Sequence, residues 1–555
     1  LPLDKRSWSR DQGGEDVKMD RKLPPPVTSI AKVNQLFKPA LIVISLTSVF
    51  SPLAVAEYAH GIDWQQADEN SVLVYKEPLV SRRSVFDPAL VKPNAKFVPV
   101  AFEIPEFTQI TLPQSPDFET RNPSGFTSGK MPSDGWNNDS FTKGNNNYTD
   151  NTIIFFQAAS SWDTDKFIEN SSGQLNFEFN DSTLRLIQKE SGRRKYSRFA
   201  TINGTTSFKG KNLEIFMDAG WQDLIFVSKG GEFKVDVSNN AWLEFVPSYS
   251  TGSTNQLALL RINSGVSNIN VGNQLVLTTK VEINQKDVAN GLVTVLSDGE
   301  LNLDAKELFI IADVKNPEDS FLNGIYVGSG SVACVGSTKP IDSLVMTGVA
   351  SAFAVTGYSS IKVNANSLYA DTIGKDHSLG YFLSGENGQA EINVTNNAEI
   401  KGNIYLKNGQ YNLTFGQNSI LETEFIDNLS GEINLSLGNG SFIKGKISDK
   451  SFISENSRTT LELDQSTWDV SGLSSFYKLN THNSNIFLSD LGSSDNPTLQ
   501  VGSLSGSDTT FYLYNEGNVS SFIQLGKDST QGTHKVQLTG IVDTEEEVNI
   551  HFAND

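Results

Sequence analysis

The sequence predicts an all-β chain folded as a right-handed parallel β-helix. Three observations carry that expectation: a short phrase that recurs, the placement of proline, and the lack of helical periodicity after residue 150. Eight times between Val235 and Leu463 an alternating apolar pair meets a small polar corner and then a second apolar pair. Val235-Asp-Val237 runs through Ser-Asn-Asn-Ala to Trp242-Leu243, and Ile269-Asn-Val271 through Gly-Asn-Gln to Leu275-Val276. Leu301-Asn-Leu303, Ile361-Lys-Val363, Ile392-Asn-Val394, Leu413-Thr-Phe415, Leu435-Ser-Leu437 and Leu461-Glu-Leu463 open the other six. Repetition on this scale marks stacked supersecondary units.

Alternation with period two puts one side-chain row inward and the next outward, the signature of a strand. The Asn, Gly and Ser corners tolerate positive φ or bond their own backbone, so the chain turns there. Corner residues 394, 415, 437 and 463 are 21, 22 and 26 positions apart, whereas 34, 32, 60 and 31 separate the earlier ones. The longer spacings imply rungs with insertions, and the longest leaves room for one more turn near Val335. A single rung cannot stand alone. About five inward apolar side chains contribute roughly 1.5–3 kcal/mol each, while ordering some twenty backbones costs about 1–2 kcal/mol apiece. Stacking closes that gap, because each strand then pairs above and below, and Asn residues at equivalent corners can join in ladders. An antiparallel sandwich of short strands is the rival architecture.

Proline sharpens the choice. Fifteen of the 19 prolines precede residue 133, leaving Pro247, Pro317, Pro340 and Pro497 for the rest. A stack of paired strands excludes proline, since each missing N–H breaks a ladder. Residues 57–150, with nine prolines between Pro78 and Pro132 and Asn-rich runs after Trp136, read as an irregular lead segment that caps the first rung. Regular strands are expected from Thr152-Ile-Ile-Phe-Phe156, with the β-helix over 151–465.

Residues 1–56 have the make-up of a signal-peptide region, with Met19 as a possible start. Arg21, Lys22, Lys32 and Lys38 precede an apolar run from Ala40 to Phe50, and Ala54-Val-Ala56 has the small-x-small form of a cleavage site. The net charge is −20; residues 1–56 hold 8 basic and 5 acidic groups, so the remainder carries −23. Such a body repels nucleic acid, and none is expected as a partner. The single cysteine, Cys334, excludes intramolecular disulfides and Cys-based zinc sites. That fits export through a second membrane in an unfolded state.

The stretch 466–541 carries a distinctive order of motifs. Ser466-Thr-Trp468-Asp-Val470 comes first, followed by Leu479 and Ile486, then Leu499-Gln-Val501-Gly-Ser-Leu504-Ser-Gly506 and Phe511-Tyr-Leu513. Gly532-Thr-His534-Lys-Val536-Gln-Leu538 completes it. This order resembles the C-terminal stabilising, autochaperone-type region of pertactin-like bacterial autotransporter passengers, in which Trp468 matches a tryptophan on the last regular turn. One position departs: Ser521 stands where the family usually places an Asp. The resemblance implies a type V secretion passenger on the outer-membrane surface or secreted from it. Residues 542–555 would then link to a translocator barrel in cis beyond Asp555, and the C-terminal rungs would template the others.

Chemistry is harder to find. Neither Gly-Asp-Ser-Gly nor G-x-S-x-G occurs, and His60, His377, His482, His534 and His551 form no ligand-like pair. Calcium repeats and EF-hand spacing are missing, so no cofactor or metal is expected. Lys189, Arg193, Arg194, Lys195 and Arg198 form a basic island that could meet an anionic glycan, with a solvated loop as the plainer reading. The expected function is a non-enzymatic, adhesin-like stalk and interaction surface. Its partners are a host-surface glycan or protein, or the chain itself. A β-helical carbohydrate-active enzyme or hydrolase passenger is the alternative.

Overall fold

The computed structural model describes most of residues 105–516, omitting 121, 129–140, 157–165, 190–197, 221–222, 248–257, 282–290, 315–321, 375–377, 450–456 and 489–497. Short strands outside that span, such as Val72–Lys76 and His534–Thr539, are also described. The chain divides into a unit of Leu1–Pro39 with Asp555 and a unit of Ala40–Asn554, and every described residue belongs to the second.

Successive turns of the chain stack as a parallel β-helix. One turn comprises Asp223–Ser228, Glu232–Val237 and Ala241–Pro247, forming a first, second and third row. Each pairs in parallel with the strand one turn on: Ile225 with Leu260, Val235 with Ile269, Leu243 with Leu277. The pattern persists to Thr509–Glu516, whose Phe511 pairs with Ile486 one turn before and Val536 one turn after. Each strand interior to the stack thus gains from its neighbours the backbone partners it lacks alone.

The phrase spacings translate directly into register. Val394 faces Phe415, Phe415 faces Leu437 and Leu437 faces Leu463. The extra turn near Val335 exists: Val332–Val335 lies between Glu300–Leu303 and Ser360–Val363. Two frames differ from the sequence reading. Leu303 pairs with Ile269 rather than Val271, whose partner is Ala305, and Val394 pairs with Ala365 rather than Val363. In both turns the corner position holds a buried alanine, which an apolar pattern built on Leu, Ile and Val overlooks.

The inner rows make one continuous core from Ile154 to Ile523. Phe177 stacks on Phe208 at 4.6 Å and Phe167 on Phe199 at 4.7 Å, close to the spacing of adjacent strands, so equivalent rings lie face to face on successive turns. Polar ladders run along the corners. Asn239 donates to Asn212 at 2.8 Å and Asn273 to Asn240 at 2.9 Å. Farther along, the Ser419 hydroxyl accepts from Ala398 N–H at 2.9 Å and the Ser441 hydroxyl from Ser419 N–H at 3.0 Å. These side chains satisfy backbone donors that the turn leaves unpaired.

Strand pairing starts earlier than Thr152. Thr127–Ser128 pairs with Thr152–Ile153, and Gly144–Asn147 with Leu175–Glu178. The Gly-Asn-Asn-Asn strand contributes no apolar row of its own; Phe141 and Tyr148 flank it and pack against the core. At the other end of the stack, Val72–Lys76 pairs antiparallel with His534–Thr539.

The lead segment does more than precede the first turn. Residues 105–126 run along the outside of the third row, over two outward-facing columns. One column reads Ile153, Arg185, Glu214, Trp242, Val276, Phe309, Val345, Tyr369, Glu399. The other begins Phe155, Ile187, Phe216. Ile110, Phe118 and Phe126 close over these residues to form a second apolar cluster outside the solenoid. Because the third row is covered on both sides, its strands read as unbroken apolar runs such as Ile-Ile-Phe-Phe rather than as clean alternation.

Candidate functional site

The C-terminal turns hold most of the residues singled out by the family-like rhythm. Trp468 lies on Thr467–Val470, between Ile443 of the preceding turn and Ile486 of the next. It is fully buried, packs edge-on to Phe476 at 5.8 Å, and donates its indole N–H to the Gly445 carbonyl at 3.0 Å. Gly445 can offer that carbonyl because its φ is +138°, and a Cβ there would stand 2.4 Å from the Thr423 carbonyl oxygen. A buried indole with its one donor satisfied both fills volume and fixes the corner beneath it.

Leu479, Leu499, Val501, Leu504 and Phe511 are all buried in the same core. Leu479 pairs with Leu461 before it and Leu504 after it, so the stack continues in register beyond Trp468. Gly506 has φ +107°, and a Cβ there would come within 1.8 Å of the Thr481 carbonyl oxygen. Leu513 lies in Thr509–Glu516, and its backbone pairs with Leu538. His534, Val536 and Leu538 belong to His534–Thr539, which pairs with Thr509–Tyr514. Gly532 and Ser521 lie outside the described residues.

A second polar centre lies in the same C-terminal part of the stack. The Asp449 carboxylate accepts from the backbone N–H and hydroxyl of Thr459 and from Tyr477 N–H at 3.0 Å. Burial pushes its pKa up, and the Thr459 and Tyr477 hydrogen bonds oppose that. Each donor comes from this chain, so the carboxylate closes a corner rather than facing solvent.

Of the basic island, Arg193, Arg194 and Lys195 lie outside the described residues. Lys189 is half-buried, with its backbone N–H on the Phe156 carbonyl at 3.2 Å. Arg198 is committed within the fold: it pairs with Asp223 at 3.2 Å and lies over the Phe226 ring at 4.0 Å. Asp223 also holds Arg261 at 2.7 Å, giving an Arg–Asp–Arg bridge across successive turns in which Asp223 and Arg261 are buried and Arg198 is half-buried. Burial pushes the Asp223 pKa up, opposed first by Arg261 and then by Arg198. Sequence reasoning missed this bridge because its members come from different turns and only the repeat register brings them together.

The outer columns explain much of the remaining charge. Asp371, Lys401, Glu422, Lys444 and Asp469 follow one another on consecutive turns, alternating in sign. Lys362 bridges Glu391 at 2.8 Å and Lys407 bridges Glu386 at 2.6 Å, each to an adjacent turn. Among the described residues no group of three or more His, Cys, Asp or Glu is placed to hold a metal ion. Cys334 is half-buried in the column between Asn302 and Lys362, and burial raises its thiol pKa. His482 stands 3.4 Å from the Ser507 hydroxyl, while His377 lies outside the described residues.

Comparison with protein-family models, curated proteins and solved structures finds no match to this chain.

Proposed function

We propose that this chain is an exported autotransporter-type passenger, displayed on the bacterial outer surface as a rigid β-helical stalk with an adhesin-like interaction surface. The observation that carries the reading is the C-terminal end of the stack. Trp468, Leu479, Leu499, Val501, Leu504 and Phe511 follow the pertactin-like order of motifs and sit in one core on consecutive turns. A parallel stack suits vectorial export, because each turn already folded offers an open strand edge to the turn behind it. With no energy source outside the inner membrane, folding on the far side opposes backsliding. The lone cysteine supports the same reading, since the chain can form no internal disulfide that would obstruct a narrow pore.

The stalk presents outward side chains in rows repeated at every turn, which favours many weak contacts acting together. Host-surface glycans or proteins, or further copies of the chain, are the partners that fit such a surface. The test attaches an outer-membrane β-barrel after Asp555 and probes intact cells. External protease and antibody should reach the passenger, and cells displaying it should bind epithelial monolayers or a glycan array better than cells with an empty barrel. Retention inside the cell would contradict the export reading; display without any binding would contradict the adhesin part alone.

A further inference from the structure

We infer that the outer face from Ile153 to Glu399 is a recognition surface for an extended, proline-rich peptide, that residues 105–126 are its occupant in cis, and that their docking makes the turns beneath unfold as one unit. The spacing comes first. Thr108 is held on Glu399, and Phe118 stacks on Phe216 at 4.7 Å. From Glu399 the ladder steps through Tyr369, Val345, Phe309, Val276 and Trp242 to Glu214, on the turn of Phe216. Six strand spacings of about 4.8 Å make roughly 29 Å. Ten residues at the polyproline rise of about 3.1 Å make roughly 31 Å.

The burial of the ribbon has the matching period. Between Phe107 and Pro116 the half-buried positions are Phe107, Ile110, Pro113 and Pro116, with exposed residues between them, and the buried Phe118 ends this period. A three-residue repeat of about 9.3 Å falls on every second turn of the stack at about 9.6 Å. Pro113 and Pro116 favour that extended backbone and lose nothing by lacking an N–H, because the ribbon crosses the strands instead of pairing with them. Direction and register come from polar contacts. Thr108 binds Glu399, the Ser115 hydroxyl donates to Glu244 at 2.6 Å, and Arg185 donates to the Asp117 carbonyl at 2.9 Å. Glu244 also takes the Trp242 indole N–H at 2.8 Å, so the latch residue is itself fixed.

The consequence is a departure from ordinary solenoid behaviour. In a bare stack each turn touches only its neighbours, so stability is a sum of local terms and unfolding can spread from either end. A ribbon that touches turns six steps apart links their fates. Turns beyond Glu399, from Ile420 onward, lie outside the described ribbon contacts and serve as an internal control.

Native-state hydrogen exchange on the full chain tests this with Ile110→Asp/Phe118→Asp and, as a gentler variant, Pro113→Gly/Pro116→Gly. Exchange should rise about tenfold or more together in the third-row strands from Thr152–Phe156 to the Glu399 end of Tyr381–Lys401. The strands carrying Phe442, Trp468 and Phe511 should keep their protection, which also reports that the variants are folded. A synthetic peptide of residues 105–126, added in trans to the Asp variant, should restore the lost protection in a dose-dependent way. A rise confined to the turns touching the substituted residues, no rise at all, or no rescue by the peptide would overturn the inference.

Discussion

Thr108 binds Glu399 twice, through its backbone N–H and its hydroxyl, each at 2.6 Å and across 291 positions of sequence. Glu399 is buried at the base of this contact, and beside it the Lys401 ammonium lies 4.4 Å from the centre of the Phe107 ring. Hydrogen bonds to a charged acceptor are worth about 1.5–3 kcal/mol. Glu399→Ala should therefore lower unfolding free energy by about 2–3 kcal/mol in urea titrations, and Glu399→Gln by roughly half that, because one amide oxygen still accepts. Equal stability of Glu399→Ala and the parent chain would mean that the ribbon is not held there.

Trp468→Ala should cost about 3–5 kcal/mol, the range for deleting a large buried aromatic side chain. Trp468→Phe separates packing from hydrogen bonding: it keeps much of the volume but leaves the Gly445 carbonyl without its donor, at a cost of about 1–3 kcal/mol. Urea unfolding of the two variants measures both. On the proposed export route, the order of surface display should be parent, then Phe, then Ala.

The Arg198–Asp223–Arg261 bridge makes a sharper prediction. Asp223→Ala leaves two guanidinium groups facing each other without their shared carboxylate, and breaking a buried pair in this way costs about 3–5 kcal/mol. Replacing all three residues with apolar side chains of similar volume should recover most of that loss. If Asp223→Ala alone unfolds no more easily than the parent chain, the bridge carries no weight.

Tyr411 gives a pH dependence of known sign. Burial pushes its phenol up to about 12 from an ordinary 10.0. The folded chain thus holds the proton while the unfolded chain loses it. This contribution is complete below pH 10 and is lost as pH rises from there toward 12, amounting to roughly 2–3 kcal/mol. Tyr411→Phe removes the titrating group, so its stability should fall less than the parent's between pH 9.5 and 12, read by urea unfolding at each pH. A steeper fall in Tyr411→Phe would contradict the assignment.

Much of the architecture was legible because a strand's side-chain period is two and the turns share one register. The alternating pairs ending at Val394, Phe415, Leu437 and Leu463 stack as their spacing implied. Ala305 and Ala365 shifted two frames, since a small residue at a tight corner carries little hydropathy signal. The outer apolar columns and the ribbon were not legible as a pair. Phe216, Trp242 and Phe309 blur the alternation of their strands, and the three-residue period of Phe107, Ile110, Pro113 and Pro116 matches neither a helix nor a strand. Trp468 could be singled out from sequence, whereas the pairing of Arg198 with Asp223 needed the fold.

On the proposed export route, the C-terminal turns form first and offer the edge on which the others assemble. Pulse-labelled hydrogen exchange during refolding of the full chain tests it most directly. Amides in the strands of Trp468, Leu479 and Phe511 should gain protection before those of Leu184, Phe208 and Leu243. Protection that arises first at the N-terminal turns, or at all turns together, would contradict it.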